Sequence, residues 1–281
     1  MRLRILWLLL IPVGFAIAAA AQRRIEDVAV AELGPGTTVD GLPGCEQAFA
    51  DAALAGTFVL YEPAAKRLRG CNLGRAMDGY LPASTFKIPN ALIGLETGAV
   101  RDEHEVMAWD GIERRVASWN RDHDLASAMR DSALWYYQAM ARRIGEPRMR
   151  HWIGELDYGN GDIGGGIDRF WLDGRLRISA VQQAGFLARL RDGKLPLSAR
   201  SQAIVRTILV RDQGEGWTLH AKTGWTDAPD PDTGWFVGWV ERGGKAYVFA
   251  LNADLARDGD APKREQVARR LLAAEGLIGA K

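Results

Sequence analysis

A serine and a lysine three positions apart are the first residues of this chain that could do chemistry together. They are Ser84 and Lys87, in the stretch PASTFKIPN at residues 82–90. Residues three apart share one face of a helix, so the pair could act as a nucleophile and its proton acceptor. Such a spacing arises about once by chance in a chain of this length, and Ser84 could simply cap the following helix. Pro89 favours chemistry, because proline inside a helix removes a backbone hydrogen bond.

Three further short motifs could contribute to the same chemistry. Lys222, Thr223 and Gly224 end a predicted strand, where the glycine would let a ligand lie close and the threonine would offer it a hydroxyl. The alternative is a strand that ends in a glycine turn with a solvated lysine. Ser132, in DSALW, could be a second hydroxyl or another helix cap, and YGN at residues 158–160 could be a turn. The spacing alone does not choose between these interpretations.

Composition and charge exclude several classes of partner. The chain has 281 residues, of which 47% are hydrophobic, and a net charge of +1, so it is an ordinary globular protein without a basic surface for nucleic acid. The histidines are scattered without the spacing of metal ligands, and no metal site is expected. The four histidines are His104, His123, His151 and His220.

The N-terminus has the pattern of a secretory signal peptide. Arg2 and Arg4 precede an apolar run that ends in small residues near Ala21, which predicts export to the periplasm after removal of residues 1–21. The alternative is an uncleaved membrane anchor. No later segment is apolar enough to span a bilayer, so no membrane association is expected after cleavage. The two cysteines, Cys45 and Cys71, fit an oxidising compartment, where they could pair or one could remain a buried thiol.

Hydrophobic periodicity predicts an α/β chain of the α+β type, in which an antiparallel sheet built from both ends of the chain carries an inserted helical lobe. The predicted ranges are 22–75 and 197–281 for the two parts of the α/β domain and 76–196 for the helical lobe. The main predicted elements are a helix at 42–55, a hairpin of strands 57–61 and 66–72, β-rich runs GWTLHAKTG, GWFVGWVE and KAYVFALN, and a last helix at 263–274. A ligand is expected in the cleft between lobe and sheet.

The motifs, in this order, resemble those of the serine β-lactamases and penicillin-binding proteins. The resemblance is strongest to the class D, oxacillinase-type β-lactamases and covers residues 40 to 280. It is carried by YLPASTFKIPNALIGLETG, the Ser-Ala-Leu segment at 132–134, LDYGN, IDRFWLDGRLRIS, AKTGW, WFVGWVERGGKAYVFALN and APKREQVARRLLAAEGLI.

The resemblance implies β-lactam hydrolysis through an acyl-enzyme on Ser84. Lys87, carrying a carboxyl group on its amine, would be the general base, and Trp171 of RFWLDG would hold that carbamate. Ser132 and Lys222 would pass a proton to the leaving nitrogen. Carbon dioxide or bicarbonate would be needed for the modification, and no other cofactor is implied.

The resemblance also implies how a substrate is held. The backbone N–H groups of Ser84 and Trp225 would form the oxyanion hole, and Thr223 and Arg264 would bind the substrate carboxylate beside Gly224. Arg264 could instead belong to a plain solvated helix start. Leu134 departs from the valine of the family motif and would lie beside the carbamate. The substrates would be β-lactams, and the enzyme would be a monomer or a homodimer.

Three rival functions remain at this stage. A β-lactam sensor of the same fold would be acylated without turnover, but such receptors carry further membrane spans. A peptidase acting on D-alanyl-D-alanine would lack the class D context of Trp171 and YGN. An exported structural protein of the cell wall would leave the order of the motifs unexplained.

Overall fold

A seven-stranded mixed sheet flanked by helices forms the frame of the protein in a computed structural model. The structure describes residues 13–226, 231–257 and 259–279, so most of the predicted signal peptide, residues 1–12, lies outside the described residues. The sheet order is β1-β3-β2-β7-β6-β5-β4. The strands are β1 Thr38–Gly41, β2 Gly56–Glu62, β3 Arg67–Cys71, β4 Val210–Gly214, β5 Trp217–Trp225, β6 Asp232–Arg242 and β7 Lys245–Leu255.

Helices cover both faces of this sheet. On one face α2 and α10 pack on a cluster of buried apolar side chains, and on the other face α8 joins the sheet to the helices inserted between β3 and β4. The helices are α1 Val13–Leu33, α2 Cys45–Ala52, α3 Leu73–Met77, α4 Lys87–Glu96, α5 Leu125–Asp131, α6 Leu134–Ile144, α7 Glu146–Glu155, α8 Ala180–Arg191, α9 Ala199–Ile208 and α10 Lys263–Ala274.

The two ends of the chain meet in the middle of the sheet, as predicted. β2 pairs antiparallel with β7, with Gly56 opposite Ala253 and Tyr61 opposite Val248. The sheet is antiparallel, as predicted, except at one edge, where β1 runs parallel to β3. The chain passes from β1 through α2 to β2, and β2 runs in the direction opposite to β1. Since β3 in turn runs antiparallel to β2, β1 and β3 run in the same direction. β1 is short and largely exposed, and it has no apolar alternation that would have predicted it.

Most of the predicted local elements are present. Helix α6 ends at Gly145, Pro147 lies in the first turn of α7, and Ser179 and Gln182 form a capping box at the start of α8, as their residue types favour. The β6–β7 hairpin turns through two glycines with positive φ, and α10 has the predicted bounds. The predicted helix at 42–55 is shorter, because Ala53 adopts a left-handed conformation and ends α2.

The segment before β1, for which the sequence analysis gave no helix, forms the second half of α1. Its inward positions recur at intervals of three or four residues, at 25, 28, 29, 32 and 33, and Ala29 is fully buried in the core. The Tyr61 hydroxyl donates to the carbonyl of Leu33 at 3.1 Å, which fixes the end of α1 to the sheet. Within the residues that the structure describes, no helix is both long enough and apolar enough to cross a membrane.

A disulfide joins Cys45 at the start of α2 to Cys71 at the end of β3, with a Cα–Cα distance of 5.8 Å. The two cysteines are 26 residues apart. Closing a loop of that length in the unfolded chain corresponds to about 3 kcal/mol of stability. We therefore expect Cys45→Ala/Cys71→Ala to lower the free energy of unfolding by about that amount in guanidinium titrations. An unchanged transition midpoint, with the wild-type disulfide verified by mass spectrometry, would contradict this prediction.

Candidate active site

The predicted nucleophile lies on a short 3₁₀ turn, Ala83–Phe86, that leads directly into α4. Ala83 has φ 48°, a left-handed conformation that is rare outside glycine, and its N–H donates to the carbonyl of Trp171 at 2.9 Å. The Nζ atom of Lys87 donates to the Oγ atom of Ser84 at 2.6 Å. The interpretation of Ser84 as a helix cap is wrong, because neither helix start has a side-chain cap.

Pro89 does not strain the helix as the sequence suggested. It is the third residue of α4, within the first turn, where backbone N–H groups have no acceptor inside the α-helix. The switch from a 3₁₀ turn to an α-helix at Lys87 places the proline there. The prediction of a helix-interior cost was therefore wrong, and the strain lies instead at Ala83.

Lys87 is almost completely buried, with 1% of its surface exposed. Burial lowers its pKa from 10.5 to about 7, because the charged ammonium loses its hydration. The ring centroid of Tyr137, a residue of α6, lies 5.5 Å from the Nζ atom of Lys87. The Tyr137 ring therefore forms one wall of this site. Sequence analysis missed Tyr137, which lies three residues after Leu134 and on the same face of α6. A large fraction of Lys87 is therefore a neutral amine near neutral pH.

Trp171 carries a buried hydrogen-bond donor without an acceptor. Its side chain is fully buried and stacks on Phe86 with ring centroids 5.1 Å apart, and its Nε1 atom has no hydrogen-bond partner among the residues that the structure describes. A buried N–H group is normally paired, because an unmet donor costs free energy. The indole N–H is thus available to an acceptor group in this dry environment.

The YGN motif stabilises the loop that carries Trp171. Asn160 accepts from the backbone N–H of Arg177 at 3.0 Å and donates to the carbonyl of Arg175 at 3.0 Å. Gly159 has φ 61°, and a Cβ atom there would lie 2.1 Å from the Arg177 carbonyl oxygen. Tyr158 is buried edge-on against Phe86. The motif is therefore a turn, and it holds the loop that carries Trp171.

Ser132 and Lys222 meet on the other side of the cleft. Lys222 Nζ donates to Ser132 Oγ and to the carbonyl of Thr223, both at 2.9 Å. Ser132 is the C-cap residue of α5, with φ 57°, but it does not N-cap α6, so its interpretation as an N-cap is wrong. Lys222 is only 4% exposed, so it is not a solvated lysine. Burial, and then the charge of Lys87, hold the pKa of Lys222 well below its usual value.

The outer edge of β5 is open beside these residues. β4 pairs with β5 only as far as His220, and the N–H of Ala221 donates outward to Leu209 at 2.9 Å. On the inner side, the N–H of Thr226 donates to Thr233 of β6 at 3.0 Å. Because these directions alternate along a strand, the N–H of Trp225 points outward, as that of Ala221 does. This open edge suits the predicted role of Trp225 in an oxyanion hole with the N–H of Ser84.

Gly224 allows the close approach of the serine turn to β5. A Cβ atom at this position would lie 3.0 Å from the carbonyl oxygen of Pro82 and 3.2 Å from a methyl carbon of Thr85. The space beside its Cα atom is therefore filled by the turn that carries Ser84. Gln183 supports the same turn from α8, donating to Thr85 Oγ1 at 2.8 Å.

Arg264, at the second position of α10, is not the solvated arginine of the alternative interpretation. Its Nε atom donates to the carbonyl of Trp235 at 3.2 Å, and its guanidinium also donates to the carbonyl of Ala261. Burial lowers its pKa from 12.5 to about 10, so it is still a cation at neutral pH. Its charge also contributes to the lowered pKa of Lys222, so both belong to one positively charged region.

Thr223 and Leu134 are half-buried, as side chains that line a cleft would be. Leu134 is the first residue of α6. The described part of the chain has no group of three or more histidine, cysteine or acidic side chains placed to hold a metal ion.

Comparison with known proteins agrees with this geometry. Residues 61–273 match the penicillin-binding protein transpeptidase domain. β-Lactamase OXA-19 of Pseudomonas aeruginosa is 44% identical over 82% of this chain and 88% of its own length, and β-lactamase OXA-48 of Klebsiella pneumoniae is 46% identical over 74% and 78%. The class D β-lactamase YbXI from Nostoc, a solved structure, superposes with a TM-score of 0.82 at 39% identity, covering 83% of this chain and 99% of that one.

The fold is thus that of the penicillin-binding protein transpeptidase family. Within that family, the chain belongs to the class D β-lactamases.

Proposed function

We propose that this enzyme hydrolyses β-lactam antibiotics through a covalent acyl-enzyme on Ser84 and so confers resistance to them. The observation that carries the proposal is the 2.6 Å contact between Ser84 Oγ and a buried Lys87 amine of lowered pKa. A hydroxyl beside a neutral amine can lose its proton during attack, which an ammonium neighbour would prevent. The family relationship supports the same reaction.

The residues around Lys87 fit an N-carboxylated lysine. A neutral amine is the form that combines with carbon dioxide, and burial supplies it near neutral pH. The unpaired indole N–H of Trp171 offers a donor for the added oxygens. A carbamate at this position would supply an anionic base for both halves of the reaction.

In the first half, the Ser84 oxygen attacks the lactam carbonyl carbon, and the bond from that carbon to the ring nitrogen breaks. The N–H groups of Ser84 and Trp225 stabilise the oxyanion that forms. The base at Lys87 takes the Ser84 proton and passes it through Ser132, held by Lys222 at 2.9 Å, to the departing nitrogen, so that Ser132 gives one proton and regains one. Thr223 and the cationic Arg264 bind the substrate carboxylate.

In the second half, water attacks the ester carbon of the acyl-enzyme, and the bond to Ser84 Oγ breaks. The proton lost by the water returns to Ser84, which regenerates the free hydroxyl. The half-buried side chain of Leu134 limits the space for this water. Export to the periplasm, proposed from the N-terminal pattern, would place the enzyme where β-lactams enter the cell.

Bicarbonate should raise activity most at mildly acidic pH. Because the pKa of Lys87 is about 7, protonation below that pH removes the neutral amine, and the carbamate with it. Added bicarbonate should restore activity at pH 6 and should change it little at pH 8, where the amine is already neutral. The measurement is kcat at both pH values, with and without bicarbonate, at constant ionic strength. Equal responses to bicarbonate at the two pH values would contradict a carboxylated Lys87.

Leu134→Val should change deacylation more than acylation. The substitution removes one methylene beside the expected position of the hydrolytic water, whereas the attack by Ser84 needs no such water. We expect a change of about three- to ten-fold in the deacylation rate, which corresponds to about 1 kcal/mol. Burst kinetics separate the two steps, with the rate of the burst reporting acylation. Equal changes in both rates would contradict the prediction.

One assay with the chromogenic cephalosporin nitrocefin tests the proposed function against its rivals. Repeated turnover supports a β-lactamase. A single turnover with a stable adduct on Ser84 would indicate a sensor, very slow hydrolysis would indicate a peptidase, and no reaction would indicate a protein without this chemistry. Intact-protein mass spectrometry of Ser84→Ala provides the control for adduct formation.

A further inference from the structure

A buried glutamine of α8 holds the turn that carries Ser84 from behind. Gln183 and Thr85 are both fully buried, and the Nε2 atom of Gln183 donates to Thr85 Oγ1 at 2.8 Å. The Thr85 hydroxyl in turn donates to the carbonyl of Pro82 at 2.7 Å. These two hydrogen bonds form a chain from α8 to the residues on both sides of Ala83 and Ser84.

The direction of the hydrogen bonds in this chain is fixed. A threonine hydroxyl has one proton, and Thr85 uses it on the Pro82 carbonyl. The atom of Gln183 that lies 2.8 Å from Thr85 must therefore be a donor. The NH₂ group of an amide is such a donor, whereas a carboxylate only accepts. The position thus requires a side chain that donates.

Helix α8 is a firm support for this donor. It packs on β2, β6 and β7 of the sheet, and a capping box formed by Ser179 and Gln182 fixes its first turn. Just before that turn, Ile178 exchanges two backbone hydrogen bonds with Tyr80, each of 2.9 Å. The start of α8 therefore holds the segment that carries the serine at two points, at Tyr80 and at Thr85.

The strained conformation of Ala83 gives this support a function. A left-handed alanine keeps its conformation where surrounding contacts fix it, and the next peptide carries the Ser84 N–H of the proposed oxyanion hole. If the turn relaxed, this N–H and the Ser84 Oγ atom would both move relative to the substrate carbonyl, and the reaction is slowed steeply by small displacements of reacting groups. Apolar packing at the position of Gln183 would not replace the hydrogen bond, because such packing is non-directional.

We infer that Gln183 is a positioning residue for the acyl-transfer chemistry of Ser84. It acts through Thr85 and Pro82 and touches no reacting atom. It holds the nucleophile and the oxyanion-hole N–H in the same arrangement for both halves of the reaction. The inference rests on the proposed function, and it concerns the geometry of the serine rather than the state of its base.

Gln183→Leu keeps a side chain of similar size but removes the donor. Acylation and deacylation should both slow about ten-fold, because both pass through an oxyanion on the carbon bonded to Ser84. Burst kinetics with nitrocefin measure the two rates. The carbamate signal from ¹³C-labelled bicarbonate should stay at the wild-type level, because Lys87 and Trp171 are unchanged. A loss confined to one of the two steps, or a loss of the carbamate signal, would overturn the inference.

Gln183→Glu keeps the shape of the side chain and makes the donor depend on pH. A protonated carboxyl group can donate to Thr85, whereas a carboxylate would draw the Thr85 proton away from Pro82. Burial raises the pKa of a carboxyl group, so the ratio of variant to wild-type kcat/KM should rise about five-fold or more from pH 8.5 to pH 6. Division by the wild-type value at each pH removes the titration of Lys87. Burial also raises the pKa of Tyr158, a neighbour of Gln183, so that this hydroxyl stays protonated throughout.

Gln202→Glu is the matched control for this pH profile. Gln202 is also a buried glutamine, but it lies on α9, where its amide group bonds to the backbone of Leu195 and Leu197 in the preceding loop. Its ratio to wild type should not change between pH 8.5 and pH 6. A flat ratio in Gln183→Glu, or an equal pH dependence in Gln202→Glu, would overturn the inference, while wild-type turnover would keep the proposed function. A wild-type enzyme without nitrocefin turnover would overturn both.

Discussion

Replacing Lys87 by alanine is expected to lower kcat for β-lactam hydrolysis by about 10³-fold or more. The substitution removes the amine that lies 2.6 Å from Ser84 Oγ, and a positioned general base contributes about 10²- to 10⁴-fold to each step that it serves. Both acylation and deacylation depend on this base, so the loss should lie in the upper part of that range. Nitrocefin turnover measures the loss, and mass spectrometry shows whether a slowly formed acyl-enzyme accumulates. Lys245→Ala, at an exposed lysine of β7, is the control.

The burial of Lys87 should also lower the free energy of unfolding of the protein. Its pKa is about 7 in the folded protein but near 10.5 in the unfolded chain, so the unfolded state binds more protons between those pH values. The penalty is full below pH 7, declines as the pH rises and vanishes above 10.5; its size is on the order of 5 kcal/mol. Lys87→Met, which fills the space with an apolar chain, should therefore raise the melting temperature at pH 6 and much less at pH 10.5.

An activity that survives in Lys87→Ala at wild-type level would refute both the base and the mechanism. A melting temperature of Lys87→Met that is unchanged at pH 6 would refute the lowered pKa of the buried lysine while leaving the family assignment intact. The stability measurement should be made without bicarbonate, because the carbamate is anionic and would change the comparison.

Elements encoded by near neighbours in the chain could be predicted from sequence. The capping box at Ser179, the hairpin through Gly243 and Gly244 and the bounds of α10 depend on contacts only a few residues apart. The parallel pairing of β1 with β3 depends on a distant partner, and its four residues carry no periodicity of their own. The docked half of α1 did carry a signal, since its inward residues follow a helical period.

The chemistry-bearing residues could be predicted from motif order, but their environment could not. Sequence identified Ser84, Lys87, Ser132 and Lys222, and the structure brings them together in two hydrogen-bonded pairs. The burial that lowers the pKa of both lysines comes from helices and strands far apart in the chain, such as α6, which brings Tyr137 to Lys87. Gly224 shows the limit of prediction from motifs, because the motif did not reveal that its missing side chain admits the serine turn.

The strained residues also escaped prediction. Ala83 and Ser132 both adopt left-handed conformations at the two sides of the cleft, although neither is a glycine, asparagine or aspartate. Ala83 directly precedes Ser84, and Ser132 itself carries the second predicted catalytic hydroxyl. Backbone strain of this kind is tolerated where surrounding contacts fix the conformation, and here the Ala83 N–H is held by Trp171 and the Ser132 hydroxyl by Lys222.

Trp171→Phe should cause the second large loss, through the carbamate rather than through the fold. Phenylalanine keeps an aromatic ring to pack on Phe86 but removes the indole N–H, a buried donor without an acceptor in the described part of the chain. A hydrogen bond to a charged group contributes about 1.5–3 kcal/mol, so carbon dioxide should bind Lys87 about 10- to 150-fold more weakly. The carbamate signal from ¹³C-labelled bicarbonate should fall at a fixed concentration, and kcat with it, and high bicarbonate should restore both in part. Trp152→Phe, on α7, is the matched control and should retain both signal and activity. If Trp171→Phe keeps the wild-type carbamate signal, the indole N–H of Trp171 does not stabilise a carbamate on Lys87, and the prediction is wrong.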